Sequence, residues 1–365
     1  MAPPSELSVE HGVSLAPFCS LGVGGAARWW ARATRVDDVA AAHAWCADRG
    51  AALVVLGGGT NVVVADEGVD GLVLAVAPRG VTIADQREAV TVTAAAGEPW
   101  DEVVAAVVAR GGAGLECLSG IPGLAGGTPI QNVGAYGQEV SSAIERLTVF
   151  DRTTASTVSL GPGECGFAYR TSRFKGEDAG RFIICDVTFR AAKRPASTSY
   201  RDVDAALTRA GIVDPTVAQV RTAVLEIRRG KGMVRDEHDP DSRSVGSFFT
   251  NPVVTAAAAE RMSSDAGTAA PWFAQPDGRV KVPAAWLIEK AGFVRGEADG
   301  AVGLSTKHTL ALVTRAGAAA ADVVRFAARI ARRVEDRFGV RLRPEPVFLG
   351  FPRGDDVDYL LGAHD

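Results

Sequence analysis

Two glycine-rich runs and three isolated polar residues carry most of the chemistry this sequence could perform. The first run, GGGTN at 57–61, comprises Gly57, Gly58, Gly59, Thr60 and Asn61 and lies between two apolar stretches. Consecutive residues without a Cβ let several backbone N–H groups converge on one anion, which makes a phosphate-binding nest. The same composition also builds a tight hairpin turn, so the run alone leaves both readings open. The second run, IPGLAGGTPIQNVGAYG at 121–137, offers many backbone donors plus Thr128 and Asn132 and has no acidic side chain. That suits an anionic group such as a pyrophosphate. An irregular buried connection would look similar, but loops this long and apolar are usually functional.

Arg170 lies between aromatic residues in FAYRTSRFK, where a guanidinium can hold a carboxylate by paired hydrogen bonds. Ser247 sits in VGSFFTNP, a hydroxyl flanked by a glycine and two phenylalanines. Glu345 stands between two prolines in RPEPVFLG, ahead of an apolar run. Each of the three is also compatible with a structural or solvated role taken singly. Other site types are absent. No G-x-G-x-x-G follows a first strand, and GVGG at 22–25 has the wrong spacing and position for a Rossmann fingerprint. There is no G-x-S-x-G elbow and no H-E-x-x-H. His238 is surrounded by Asp236, Glu237, Asp239 and Asp241, but the calcium-loop pattern is not met. A solvated, flexible loop and no metal site are expected there.

The elements that must position these residues follow from periodicity. A helix is expected over 36–49, and residues 51–66 read as strand, glycine turn, strand. Residues 97–112 read as a helix with Pro99 in its first turn. The stretch 111–137 holds nine glycines and two prolines in 27 residues, too many for a long regular element, and reads as an ordered, partly buried loop system. Strands are expected over 144–151, 157–160 and 182–191. The clearest helix spans 214–230, with Asp214 as cap, Pro215 at the first position, and Val217, Val220, Val224 and Ile227 on one face. A last long helix over 318–338 carries Val323, Ala327, Ile330, Val334 and Phe338 on one stripe.

Composition narrows the class. At 365 residues and 47% hydrophobic, the chain can bury a large core divided over two or three domains. A net charge of −4 gives no global basic field for nucleic acid. The five cysteines are scattered, and none forms a C-x-x-C pair, so neither zinc nor a disulfide framework is indicated. The first twenty residues lack a basic start and an unbroken apolar core, so no signal peptide is expected, and no stretch is apolar enough for a membrane span. A reduced, cytoplasmic protein is the resulting expectation.

The order of the motifs is more specific than any one of them. GGGTN, GLECLSGIPGLAGGTPIQNVGAYGQEV, FAYRTSRFK, GSFFTNPVV and RPEPVFLG, in this sequence, resemble the UDP-N-acetylenolpyruvoylglucosamine reductase family from about residue 21 to 350. The GAYG segment and the TSYRDV segment with Tyr200 resemble its longer, type I form. The resemblance implies an α+β fold with a two-part FAD-binding unit of the vanillyl-alcohol-oxidase-like type and a C-terminal α+β substrate domain. The boundaries it implies are 1–78 and 79–231 for the FAD unit, 232–340 for the substrate domain, and 341–365 for a segment returning to the FAD unit.

The resemblance also implies a reaction. NADPH hands a hydride to non-covalent FAD, and the enolpyruvyl ether of UDP-N-acetylglucosamine enolpyruvate is then reduced to a lactyl ether, giving UDP-N-acetylmuramate. Arg170 and Glu345 would stabilise the developing enolate and Ser247 would deliver a proton. For the cofactor the pattern carries over to Gly57, Gly58, Gly59, Thr60 and Asn61 in the first run. In the second it carries over to Ile121, Pro122, Gly123, Thr128, Ile130, Asn132 and Gly134. For the substrate it carries over to Tyr136, Tyr200, Lys231 and Asn251, with Lys281 and Glu289 further candidates for the nucleotide end. A monomer is expected, binding neither nucleic acid nor membrane. One departure stands out: some relatives have an arginine two residues after the active-site glutamate, where this chain has Val347. Two other readings compete. The wider flavoprotein class includes oxidases that attach flavin through a histidine, but neither glycine-rich run contains one. A non-catalytic nucleotide-sugar binding protein would not need the Arg, Ser and Glu set.

Overall fold

The computed structural model describes residues 7–196 and 200–362, so Thr198 and Ser199 of the TSYRDV segment lie outside the described residues. The chain forms two compact units. The first comprises Met1–Val13, Ala27–Gly59 and Asp70–Val234, and the second Ser14–Ala26, Thr60–Val69 and Arg235–Asp365.

Two sheets build the first unit. One has the order Val9–Ser14, Ala26–Ala33, Val69–Val76, Leu53–Leu56, with the last two strands parallel. Parallel neighbours need a crossover connection, and here it is residues 57–68, which carry the first glycine-rich run. Helix α1 (Val36–Arg49) precedes Leu53–Leu56 and buries Val39, Ala42 and Cys46 in the core shared with Leu53, Leu72 and Leu74. It starts where the Asp38 carboxylate accepts the Thr34 and Arg35 amides at 2.8 and 3.0 Å, and stops at left-handed Gly50. The other sheet is antiparallel throughout, in the order Ser156–Leu160, Ile144–Asp151, Phe182–Ala192, Ala89–Ala95, Val81–Asp85. Helix α2 (Trp100–Val108) buries Trp100, Val103, Val104 and Val107 against it. The Trp100 ring lies 5.3 Å from Phe189, and its indole N–H donates to the Leu118 carbonyl at 3.1 Å, so a bulky aromatic is buried with its polar atom satisfied. Helices α3 (Arg201–Arg209) and α4 (Val217–Gly230) pack on each other through Val203, Leu207, Val220 and Val224.

The expected elements appear with three differences. The strands flanking GGGTN do not form a hairpin: Leu53–Leu56 pairs with Val69–Val76, whereas Val62–Val64 pairs parallel with Val347–Leu349. Pro99 is the residue before α2 rather than within its first turn. Helix α4 is capped by Thr216 rather than Asp214. Thr216 and Gln219 form a reciprocal capping box, the Thr216 hydroxyl accepting the Gln219 amide at 3.3 Å and the Gln219 side chain accepting the Thr216 amide at 2.9 Å. Two satisfied donors outweigh the single cap that Asp214 offered.

In the second unit, one sheet has the order Ser244–Ser247, Ala311–Thr314, Val302–Leu304, Ala298–Asp299, and a smaller one Val253–Val254, Val280–Lys281, Phe273–Ala274. Helices α5 (Ala256–Ala266), α6 (Ala284–Lys290), α7 (Ala320–Phe338) and α8 (Asp355–Leu361) complete it. The stripe expected on α7 is buried, joined by Val324, Phe326 and Ala331, and meets Phe248, Leu287, Phe293 and Leu312 in one core. The acidic loop before Ser244 is only partly solvated. His238 is exposed, but Asp241 is 2% exposed and accepts from the Ser305 hydroxyl, the Thr306 amide and the Arg315 guanidinium. Burial raises the Asp241 pKa, yet these donors outweigh it and hold the carboxyl below its usual range. Asp241 alone is a buried anchor, Asp236, Glu237 and His238 being exposed, and no metal-holding cluster exists among the described residues.

Ala319, which precedes α7, has no capping side chain of its own, and within the helix Asp322 accepts the Ala319 amide at 3.2 Å. Asp66, 254 residues before Ala320, serves the next two, its carboxylate accepting the Ala320 and Ala321 amides at 2.7 and 2.9 Å. An acidic group at a helix N-terminus satisfies orphan donors and complements the dipole. Asp66→Ala is therefore expected to destabilise the second unit by about 1 kcal/mol, with Asp66→Asn losing less. Urea unfolding of the three proteins checks it, and equal midpoints would remove the cap from the account.

Candidate active site

The first unit brings the two glycine-rich runs together as far as Gly59. The second run lies along the entrance of α2: the Gly126, Ala125 and Trp100 amides donate to the Ala96, Glu98 and Gly123 carbonyls at 3.0, 2.8 and 3.0 Å. A Cβ on Gly126 would come within 2.5 Å of the Ala96 Cβ, and one on Gly58 within 3.0 Å of the Gly123 Cα. The approach at Gly126 leaves no room for a side chain, and at Gly58 a side chain would crowd the Gly123 backbone. Beside Gly57 and Gly127 a Cβ would find only open space. Close-set backbone at Gly58 and Gly126, with room beside Gly57 and Gly127, in runs free of acidic side chains, fits a long anionic cofactor such as FAD. Thr60 and Asn61 belong to the second unit.

Several residues of the second run are held by the protein itself. The Thr128 hydroxyl donates to the Ala125 carbonyl at 2.8 Å, and the Ile130 carbonyl accepts from the Ser172 hydroxyl at 2.6 Å. Asn132 is 1% exposed. Its amide nitrogen donates to the Glu139 carboxylate and the Ala168 carbonyl at 2.8 and 3.1 Å, and its oxygen accepts the Ser141 amide at 3.1 Å. Asn132 thus works inside the loop system as a clamp.

Tyr136 and Arg170 are displayed by turns. Strands Gly134–Ala135 and Gln138–Glu139 pair, leaving Tyr136 and Gly137 as a two-residue hairpin loop with both φ positive, 49° and 83°. Arg170 lies in the turn between Ala168 and Thr171 with φ 55°, and Asn132 has φ 47°. Among the described residues only one other non-glycine residue, Ala155, has positive φ. Such conformations are disfavoured for residues with a Cβ and concentrate at functional sites. The Arg170 guanidinium donates to the Gly134 carbonyl at 2.6 Å, which ties its turn to the base of the Tyr136 hairpin.

Around Tyr136 the same unit gathers two more substrate candidates. The Tyr200 ring stands edge-on at 5.3 Å, and the Lys231 ammonium lies 5.7 Å from the Tyr136 ring centroid while pairing with Asp202 at 2.8 Å. Lys231 is the residue that ends α4. Burial pushes the Tyr136 phenol up against the opposing pull of Arg228, and burial likewise raises Tyr200. Sequence reasoning missed Arg228, which is 7% exposed and donates to the Met233 carbonyl at 2.8 Å. Burial lowers its pKa, and hydrogen bonding to Tyr136 opposes that. Its signal was spacing: Arg228, and not Ile227, continues the buried stripe Val217, Val220, Val224.

The second unit holds Ser247 and Glu345 on adjoining backbone. Ser247 ends the strand that pairs with Ala311, and Phe248 and Phe249 behind it are fully buried. Glu345, 9% exposed, donates its amide to the Phe248 carbonyl at 2.8 Å and accepts the Asn61 side-chain amide on its own carbonyl at 3.3 Å. Val347 donates its amide to the Asn61 carbonyl at 3.0 Å and pairs with Val62. Backbone contacts therefore fix the Glu345 strand without a side-chain contribution from Val347. The Asn251 side-chain oxygen accepts the Ala284 amide at 2.9 Å and so caps α6. Lys281 pairs with Val253 and Phe273, while the Glu289 carboxylate accepts from the Thr309 hydroxyl at 3.0 Å.

Known proteins match both units. Residues 28–161 match an FAD binding domain model, and residues 238–349 match the C-terminal domain of UDP-N-acetylenolpyruvoylglucosamine reductase. The chain is 48% identical over 354 residues to the Salinispora arenicola protein of that name, covering 94% of this chain and 97% of that one. It is 44% identical over 352 residues to the Thermobifida fusca protein, covering 94% and 98%. The solved UDP-N-acetylenolpyruvylglucosamine reductase (MurB) of Thermus caldophilus shares the fold, with a TM-score of 0.62 at 23% identity, over 94% of this chain and 100% of that one. Likeness at this level along nearly the whole sequence places the chain in the UDP-N-acetylenolpyruvoylglucosamine reductase family.

Proposed function

We infer that this protein reduces UDP-N-acetylglucosamine enolpyruvate to UDP-N-acetylmuramate in peptidoglycan precursor synthesis, with NADPH as co-substrate and FAD as cofactor. Membership of the reductase family along nearly the whole chain carries this reading. The two close-set glycine runs and the Tyr136, Tyr200, Lys231 cluster support it.

FAD, when bound, would supply the redox chemistry, relaying hydride equivalents from NADPH to the enolpyruvyl double bond. We assign its binding to residues 57–61 together with Ile121, Pro122, Gly123, Thr128, Ile130, Asn132 and Gly134, with Asn132 acting as the clamp that shapes the loop. Arg170 stabilises negative charge as it develops on the substrate carboxylate. Glu345 supports the same enolate by hydrogen bonding to the substrate. Ser247 gives its hydroxyl proton to the carbon next to the carboxylate; serine suffices as an acid there because that centre is strongly basic. Lys231 meets the diphosphate as a point charge, with the Tyr136 and Tyr200 phenols beside it. Asn251, Lys281 and Glu289 are assigned to the sugar-nucleotide side. We assign 1–78 and 79–231 to the FAD unit, 232–340 to substrate binding, and 341–365 to a segment that returns to the FAD unit. The protein works as a monomer in the cytoplasm. Five free, buried cysteines support a reducing compartment, and no described helix is long and apolar enough to cross a membrane.

Three outcomes are expected. Neither glycine-rich run contains a histidine, so acid or heat precipitation leaves the flavin colour in the supernatant; colour retained by the pellet would contradict non-covalent binding. Lys231→Ala raises the KM for the sugar nucleotide far more than it slows flavin reduction by NADPH. Equal damage to both half-reactions would place Lys231 at the flavin or in folding. Ser247→Ala keeps flavin binding and reduction by NADPH while reoxidation by the enolpyruvyl substrate slows by roughly a hundredfold or more. Ser247→Cys, which retains a transferable proton, keeps more of that second half-reaction. Stopped-flow traces of each half-reaction decide, and an alanine variant that reoxidises at the wild-type rate removes Ser247 from the mechanism.

A further inference from the structure

Helix α4 presents Arg221, Leu225, Arg228 and Lys231 at spacings of four, three and three residues, which puts them along one face. Each meets a different part of the machinery. Arg221 makes a bidentate pair with Asp101 in the first turn of α2, at 2.6 and 2.7 Å. The Asp101 carboxylate also accepts the Gly120 amide at 2.6 Å, just ahead of the second glycine run. A Cβ on Gly120 would stand 2.7 Å from the Leu225 side chain and 3.6 Å from the Arg228 guanidinium, so the loop entrance rests directly on α4. One turn further along, the Arg228 guanidinium lies beside the Tyr136 phenol and opposes the rise that burial gives it, and Lys231 reaches the Tyr136 ring and Asp202.

One rigid helix therefore touches the entrance of the flavin loop at one end and the sugar-nucleotide cluster at the other. Arg221 is largely buried and its bond geometry is the paired fork that carries directional information as well as charge. Burial raises the Asp101 pKa, but the bonds from Arg221 and Gly120 outweigh it, so the carboxyl titrates below its usual range and is ionised at neutral pH.

We propose that Asp101 and Arg221 are positioning residues that lock α4 to the flavin loop, so that FAD and the uridine diphosphate end of the substrate tighten each other's binding through this helix. The proposal rests on assigning residues 121–134 to FAD and Lys231 to the diphosphate. Neither Asp101 nor Arg221 touches a reacting atom. A shift of the Gly120 loop moves Leu225 and Arg228 with it, and with them the register of Tyr136 and Lys231. Coupling of this kind is reciprocal: the factor by which UDP raises the equilibrium affinity for FAD equals the factor by which FAD raises the affinity for UDP, and slower FAD loss is its kinetic readout.

The test follows FAD loss from diluted holoenzyme by flavin fluorescence, with and without saturating UDP. In the wild type, UDP is expected to slow the loss about tenfold. Asp101→Asn and Arg221→Gln are expected to lose FAD faster, with UDP slowing the loss by less than about twofold, and the double variant to behave like either single one because the pair acts as a unit. Arg221→Lys, which keeps the charge and gives up the fork, falls between. A merely stabilising pair predicts faster FAD loss with the full UDP effect retained, and that result overturns the proposal. Wild-type holoenzyme that binds UDP in calorimetry yet loses FAD at an unchanged rate overturns it as well. Wild-type protein that binds no UDP defeats the functional reading itself and takes the proposal with it.

Discussion

Asn132 makes three hydrogen bonds from a side chain of four heavy atoms beyond the Cα, and the presentation of Tyr136 and Arg170 depends on them. One bond reaches the Arg170 turn at the Ala168 carbonyl, a second the Tyr136 hairpin at Glu139, and a third the backbone at Ser141. Without that clamp, three neighbouring non-glycine residues would each have to hold a left-handed backbone unaided, at a cost on the order of 1 kcal/mol apiece. The carboxamide is suited to the task because it offers donor and acceptor from one rigid plane, and because asparagine tolerates left-handed backbone better than most residues. The strain is local and the compensation is local, which keeps the hairpin and the turn fixed relative to each other within the first unit.

Charge around Tyr136 follows the same logic of fixed placement. Arg170 is tied to Gly134, Arg228 to Met233 and Tyr136, and Lys231 to Asp202. Three cations gathered around one phenol would repel each other in a loose structure. Asp202 and Asp101 lie close enough to offset part of that repulsion, and the remainder is a field suited to a diphosphate or a carboxylate. Arg228 is the most deeply buried of the three, and burial lowers its pKa against the opposing pull of Tyr136. A buried charge on its own is costly, and here the Met233 carbonyl and the Tyr136 phenol offset part of that cost.

What the sequence made legible was local. The stripe of α7, helix α1 and the antiparallel strands 144–151 and 182–192 follow from period and propensity over short windows. The glycine runs were legible as close backbone because few other residues permit it. The candidate site was legible in its motifs through family resemblance and much less in its supports. Arg228 was hidden because a charged residue on an apolar stripe is ordinarily read as a solvated neighbour. Asp241 was hidden in an acidic loop whose partners, Ser305, Thr306 and Arg315, come from more than sixty residues away. The Asp66 cap of α7 was invisible for the same reason. Asp214 was misread because the capping box two residues later satisfies one donor more.

That division has a physical basis that extends to Glu345. A backbone hydrogen bond to Phe248 and a side-chain bond from Asn61 place it, and both partners are remote in sequence. Pro344 before it and Pro346 after it restrict the local backbone and remove two amide donors, so the Glu345 amide is left as the donor available to the Phe248 carbonyl. A valine at 347 fits this arrangement, since the position is used through its amide on Asn61 and its strand pairing with Val62. The placement of the glutamate is thus written into backbone pairing, which tolerates a change of side chain two residues away, and the flanking prolines are the part of that design which the sequence displays openly.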